Sequence, residues 1–131
     1  MAQRIPCLYV AESDIGGRGV FTAKSLQKDD LIEICPVIIL PKEDLCFIEK
    51  TTLHDYYFLW GVNQKLGVLA LGYGSLYNHS YKPNAFYKLD LTNHSIDFYC
   101  VKNIAAGEEI TVNYNGDPKD ETEVWFEKRN E

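Results

Sequence analysis

The tripeptide Asn-His-Ser occurs twice in this 131-residue chain, as Asn78-His79-Ser80 and as Asn93-His94-Ser95. An Asn-His pair carries several hydrogen-bond donors and acceptors, and in a buried setting each needs a partner from the protein or from a ligand. The second copy fills the gap between two segments of alternating apolar and polar residues, "YKPNAFYKLDL" and "IDFYCVKNI". Asn and Ser side chains satisfy backbone groups in turns, so Asn93-His94-Ser95 reads as a hairpin tip with His94 facing water. The first copy follows the glycine-spaced run "ALGYGSLY" and precedes "YKPNAFY". It joins no matched strands, and its residue types leave two readings open: a satisfied structural turn, or a ligand contact.

Tyrosine is the other residue type that stands out, with nine in the chain. A tyrosine ring has an apolar body and a polar tip, so this abundance suits either a β-rich core or a pocket lined with hydroxyls. Metal chemistry is not expected. Cys7, Cys35, Cys46 and Cys100 form no C-x-x-C pair, and His54, His79 and His94 show no ligand spacing with them. The net charge of −6 comes with no basic stripe, which argues against direct nucleic-acid binding. An acidic surface attracts basic partners over distance, although it can also serve solvation alone. The first residues, "MAQRIPCLYVAESD", hold no apolar stretch of signal-peptide length. The longest apolar run, "LIEICPVIIL", is interrupted by Glu33 and Pro36, too short and too broken for a membrane helix. The expectation is an intracellular, reducing setting in cytoplasm or nucleus, with no membrane partner. Neither N-x-[ST] triplet would then be glycosylated.

The elements that must position these residues read mostly as short strands between turn signals. "LYVAES" and "VFTAKSL" are strands on either side of the glycine-rich turn "DIGGRG", and "QKDD" turns the second. "LIEICPVIIL" is a buried strand with Pro36 at a bend or bulge. "PKEDLCFIEKTTLHDYYFLW" opens with Pro, Glu and Asp, as a helix start does, and should give a short helix or irregular segment followed by an aromatic strand. "GVLALG" and "AAGEEITVNY" supply further strands, and "NGDPKDETEVWFEKRNE" is an acidic tail with an aromatic pair. A chain of this length makes one domain and buries roughly two-thirds of its unfolded surface, so it needs neither disulfide nor metal to fold.

Three segments occur in a fixed order: "GGRGVF", "NHSYKPNA" and "GEEITVNY". Together they resemble the SET domain, a family of protein lysine methyltransferases that use S-adenosylmethionine, and the size is most like its small stand-alone viral and bacterial members. In that family a G-x-G turn leads into a strand, an N-H-S/C-x-x-P-N motif follows, and G-E-E-[LI]-x-x-x-Y closes the site. The resemblance spans about residues 5 to 115, nearly the whole chain. It implies a mainly β fold of small curved sheets around a pseudoknot, β-clip-like, with few short helices. Residues 1–131 would form a single SET domain whose short closing segment covers about 115–131.

The resemblance also implies roles. Gly17, Arg18 and Gly19 would lie along the cofactor, S-adenosylmethionine, with Asn78 and His79 holding it, which makes the first triplet the functional one. Tyr114 matches the family tyrosine beside the transferred methyl and is the catalytic candidate. Tyr56, with Tyr57 as its rival, would border both cofactor and lysine channel, and Tyr73 would line the same region. Tyr87 and Val112 occupy the two positions from which family members limit how many methyl groups fit. A small Val112 with a tyrosine at 87 implies a mono- or dimethyl bias. Ser75 stands where many relatives carry arginine, and the zinc clusters that flank many chromatin enzymes are missing. The closing element would be "EVWFEKR", with Trp125 or Phe126 stacked on the adenine, unless that tail packs on the core or forms a dimer contact. The implied substrate is a lysine-bearing basic protein such as a histone, bound as an added strand, and a homodimer is a further expectation. A SET fold that grips a peptide or partner without turnover is the alternative.

Overall fold

A computed structural model describes residues 7–121. Among these residues the chain folds into two antiparallel-rich sheets and one α-helix. The strands are β1 (Leu8–Glu12), β2 (Arg18–Thr22), β3 (Leu31–Leu40), β4 (Tyr57–Trp60), β5 (Leu66–Ala70), β6 (Asn78–His79), β7 (Ala85–Asp90), β8 (Ser95–Cys100) and β9 (Glu109–Val112). The helix α1 (Lys42–Ile48) and two 3-10 turns, Thr52–Asp55 and Gly74–Leu76, lie between strands. No helix among the described residues is long and apolar enough to cross a membrane.

The first hairpin follows the turn chemistry of its sequence. Gly17 takes φ +57, a left-handed conformation that suits glycine, and the Ser13 N–H donates to the Gly17 carbonyl at 2.9 Å. β1 and β2 then pair from Glu12↔Arg18 to Leu8↔Thr22. The second strand ends earlier than "VFTAKSL" suggests. The Thr22 hydroxyl donates to the Lys24 carbonyl and also accepts from the Lys24 N–H, and this local alternative turns the backbone out of the ladder.

β3 is the spine of the larger sheet, whose strand order is β4-β5-β3-β8-β7. Residues Leu31 to Pro36 of β3 pair with β8, and Val37 to Leu40 pair with β5. Pro36 has no N–H to contribute to a ladder and sits where the partner changes. The register slip itself lies between Leu31 and Glu33, so the irregularity expected at Pro36 is a change of partner there and a slip upstream. The hairpin of β7 and β8 runs from Ala85↔Cys100 to Asp90↔Ser95. At its tip His94 is exposed with φ +53, as its turn composition predicts.

The smaller sheet has the order β1-β2-β9-β6. Its β6–β9 pair is parallel, with Asn78↔Thr111 and His79↔Val112 in register, and the Ser80 N–H adds a bond to the Val112 carbonyl at 3.0 Å. Parallel neighbours need a long crossover. Here it is the β7–β8 hairpin, which belongs to the other sheet, so the chain crosses between sheets before β9 returns beside β6. This crossing, where Asn78-His79 lies beside the strand that leads to Tyr114, is the pseudoknot that the resemblance implies. The core between the sheets holds Val20, Ile32, Val68, Ile96, Phe98 and Ile110, each contributing about 1.5–3 kcal/mol on burial.

Candidate active site

Tyr114 lies two residues beyond β9 and is gripped at both ends by the β6 segment. Its backbone N–H donates to His79 Nδ1 at 3.0 Å. Its hydroxyl donates to the Tyr77 carbonyl at 2.7 Å. The His79 ring is buried, with Tyr81 edge-on at 4.4 Å and Tyr114 tilted at 5.2 Å between centroids. Two short parallel strands therefore deliver one tyrosine hydroxyl to a fixed point.

Tyr114 lines a cavity of about 640 Å³, a size that suits a drug-sized ligand. Its lining includes His54, Asp55, Tyr56, Tyr57, Ser75, Tyr77, Tyr87 and Tyr114. Tyr87 enters from β7, and its hydroxyl is 3.5 Å from the Tyr114 carbonyl. Phe58 and Phe98 hold the Tyr87 ring at 5.1 and 5.8 Å between centroids. Burial pushes the Tyr87 phenol up to about 12. Tyr114 is also pushed up to about 12, chiefly by burial, with the charges of Tyr56, Glu109, Tyr87 and Asp55 adding to it. Both rings thus stay neutral near pH 7 and act as hydrogen-bonding groups, not as phenolate bases. Tyr57 is raised by burial and by Glu49, whose carboxyl accepts from its hydroxyl at 3.2 Å.

The residues singled out from the sequence fall into three groups. Tyr56, Tyr87 and Tyr114 come together on the cavity, and Tyr57 joins them. Val112 and Tyr73 do not line it. Val112 is fully buried in β9, and Tyr73 packs partly buried against the core. Gly17, Arg18, Gly19, Asn78 and His79 lie off the cavity wall, in a network beside the β6–β9 pair. Asn78 Nδ2 donates to the Arg18 carbonyl at 2.9 Å and to Glu109 Oε2 at 2.8 Å, while Ser13 donates to Glu109 Oε1 at 2.6 Å. A Cβ on Gly19 would run into the Glu109 carboxyl and lie 3.0 Å from Asn78 Nδ2, so internal packing already demands glycine there. Trp125 and Phe126 lie outside the described residues.

Four residues matter here that the sequence reading gave no role. Asn84 Oδ1 accepts from the Thr111 N–H at 2.9 Å, and its Nδ2 donates to the Glu109 carbonyl at 2.8 Å. It braces β9. Glu109 ties β9 to Asn78 and to the β1–β2 turn. Glu33 and Tyr77 meet beneath the cavity, the Tyr77 hydroxyl donating to Glu33 Oε1 at 2.8 Å. The one signal for Glu33 was a carboxyl inside a β-branched run, read there only as an interruption. Ser75, which stands where relatives often carry arginine, lines the cavity and donates to the Ala70 carbonyl at 3.2 Å. Among the described residues no group of His, Cys, Asp and Glu could hold a metal ion.

The curled sheets, the β6–β9 crossing and the tyrosine at its exit define a SET domain. Residues 17–115 match the SET domain family, and the chain belongs to it. It is 34% identical, over 92% of its length and 77% of the relative's, to the histone-lysine N-methyltransferase, H3 lysine-37 specific, of Schizosaccharomyces pombe. A crystal structure of a proposed histone methyltransferase from Plasmodium falciparum superposes with a TM-score of 0.65 at 28% identity, covering 95% of this chain and 98% of that one. A humanized mutant of the Chaetomium thermophilum Polycomb Repressive Complex 2, bound to an inhibitor, shares the fold with a TM-score of 0.70 at 19% identity, over 82% of this chain and 14% of that one.

Proposed function

We propose that this SET-domain enzyme is an S-adenosylmethionine-dependent protein-lysine N-methyltransferase. It acts on a histone tail or another lysine-rich basic protein, with a bias to mono- or dimethylation, in the cytoplasm or nucleus. The observation that carries the reading is the Tyr114 hydroxyl, fixed on the Tyr77 carbonyl at 2.7 Å within a cavity walled by Tyr56, Tyr57 and Tyr87. The relative's named activity on histone H3 supports the substrate class.

The lining suits cations. Electron-rich rings attract an ammonium or sulfonium, and the half-exposed Asp55 carboxyl offers a counter-charge. The cavity would thus receive the lysine, while S-adenosylmethionine would lie beside it, off the cavity wall, and when bound it supplies an electrophilic methyl on sulfur. The turn at Gly17, Arg18 and Gly19, with Asn78 and His79, would hold it, and Tyr56 would separate it from the lysine. Trp125 or Phe126, outside the described residues, remains the proposed cover for the adenine.

The chain's own residues then have three tasks. The rings and Asp55 draw the ammonium in, and desolvation by the tyrosine walls together with the charge of a bound sulfonium would lower the pKa of the lysine amine from about 10.4 and favour its neutral form. The Tyr114 hydroxyl, already donating to Tyr77, keeps its oxygen lone pairs for the reacting groups and holds them in line. Tyr87, wedged by Phe58 and Phe98, limits the space left for an amine that already bears methyl groups.

The test is transfer of labelled methyl from S-adenosylmethionine to core histones and to a basic-protein extract, run beside Tyr114→Phe. Label on lysine from the wild type, sharply reduced in the variant, is the expected result. Cofactor binding with no label on any protein would instead make this a peptide-gripping SET fold without turnover.

A further inference from the structure

Glu33 is a carboxyl with no exposed surface, near the start of the apolar strand β3. A buried polar group is costly unless it is hydrogen-bonded, so its partners show what it is for. Oε1 accepts from the Tyr77 hydroxyl at 2.8 Å, and Oε2 accepts from the Tyr73 N–H at 3.1 Å. Both partners belong to the segment that leads into Asn78. Between them lies the 3-10 turn Gly74–Leu76, seated so closely that a Cβ on Gly74 would lie 2.6 Å from Ala70 Cβ and 2.9 Å from Cys35 Sγ. The Tyr77 ring is buried and lies 4.6 Å from Phe98 between centroids. Tyr77 is thus pinned at its hydroxyl by Glu33, and at its carbonyl it receives the Tyr114 hydroxyl at 2.7 Å.

From this chain of contacts we propose that Glu33 is a positioning residue: by clamping the Tyr73–Tyr77 segment, it sets where the Tyr77 carbonyl, and so the Tyr114 hydroxyl, stands in the cavity. An apolar residue at 33 would fill the core equally well but would leave the Tyr73 N–H and the Tyr77 hydroxyl without this acceptor. The proposal builds on the methyl-transfer reading only for its kinetic consequence; the geometric part stands apart from it.

The test uses the full chain with 3-fluorotyrosine in place of tyrosine, the Tyr114 resonance being identified by its loss in Tyr114→Phe. Tyr77→Phe removes the link to Glu33 while keeping the ring. It should shift the Tyr114 fluorine resonance and lower kcat about tenfold to a hundredfold, with KM for the peptide within about threefold, at a temperature where the variant is folded. Glu33→Gln, made in the otherwise wild-type chain, should keep near-wild-type values for both, because the amide oxygen accepts from Tyr73 and the amide nitrogen donates to the Tyr77 oxygen. If Tyr77→Phe does not fold, Glu33→Asp, which withdraws the carboxyl by one methylene, is read by the same two signals. An unmoved Tyr114 resonance and unchanged kcat in a folded variant, with only a lower Tm, would overturn the proposal and leave Glu33 a structural residue. If the wild type transfers no methyl, the functional reading fails, and the fluorine shift still decides the role of Glu33.

Discussion

Tyr114 has two hydrogen bonds that do different things: its N–H to His79 fixes the backbone, and its hydroxyl to Tyr77 fixes the reacting end. Removing only the hydroxyl should therefore leave the fold in place. Tyr114→Phe is expected to lower methyl transfer about a hundredfold, the order of loss that misplacement near the chemistry causes, with Tm within a few degrees of wild type. Tyr87→Phe opens space beside the same group, and mass spectrometry of the product should show more di- and trimethyl-lysine than wild type gives. Burial holds both phenols near 12, and this has a consequence for stability. Between pH 10 and about 12 the unfolded chain ionises these tyrosines while the folded chain keeps them protonated. The folded state therefore loses stability as pH rises through that window. Urea unfolding at pH 9 and pH 11 should show the loss, and Tyr87→Phe should reduce it.

At the scale of elements, the site depends on two strands of only two and four residues, β6 and β9. So short a parallel pair needs side-chain bracing, and Asn84 supplies it through Thr111 N–H and the Glu109 carbonyl. Asn84→Ala would leave a buried N–H without its acceptor, a loss of about 1–3 kcal/mol, and chemical denaturation should read it directly. Gly19→Ala presses a methyl group into the Glu109–Asn78 contact; the expected cost is about 1–3 kcal/mol of overpacking. These two strands also mark how far sequence reading reaches. The β7–β8 hairpin and β5 followed from alternation and turn residues, because hairpins depend on local signals. The β6–β9 pairing carries no such local signal, since its partners are separated by a whole hairpin of the other sheet.

Over the whole molecule the four cysteines give a simple check on the packing. Cys7, Cys35 and Cys100 are buried, Cys46 is exposed on α1, and none of the four is in a disulfide. Burial pushes the Cys100 thiol up to about 12, with Asp30 and Asp29 adding to it, so it is doubly protected from alkylation. A native thiol titration should find one fast-reacting cysteine per chain, and Cys46→Ser should abolish that signal. Four fast thiols would mean that the sheets do not enclose their core as described.

The sequence by itself determined the mainly β character, the order of most strands, the hairpin role of Asn93-His94-Ser95 and, through three ordered motifs, the family. These are properties of local pattern and composition, which a linear reading can weigh. Only the tertiary structure decided which tyrosines share a cavity. It gathered Tyr56, Tyr57, Tyr87 and Tyr114 there, while Val112 went to the core and Tyr73 to its edge. It also turned Glu33 from an interruption of an apolar run into the acceptor beneath Tyr77. The physical reason is distance along the chain: Glu33 and Tyr77 are 44 residues apart, and Tyr77 and Tyr114 are 37 apart. No local periodicity encodes contacts that exist only once two sheets close on each other.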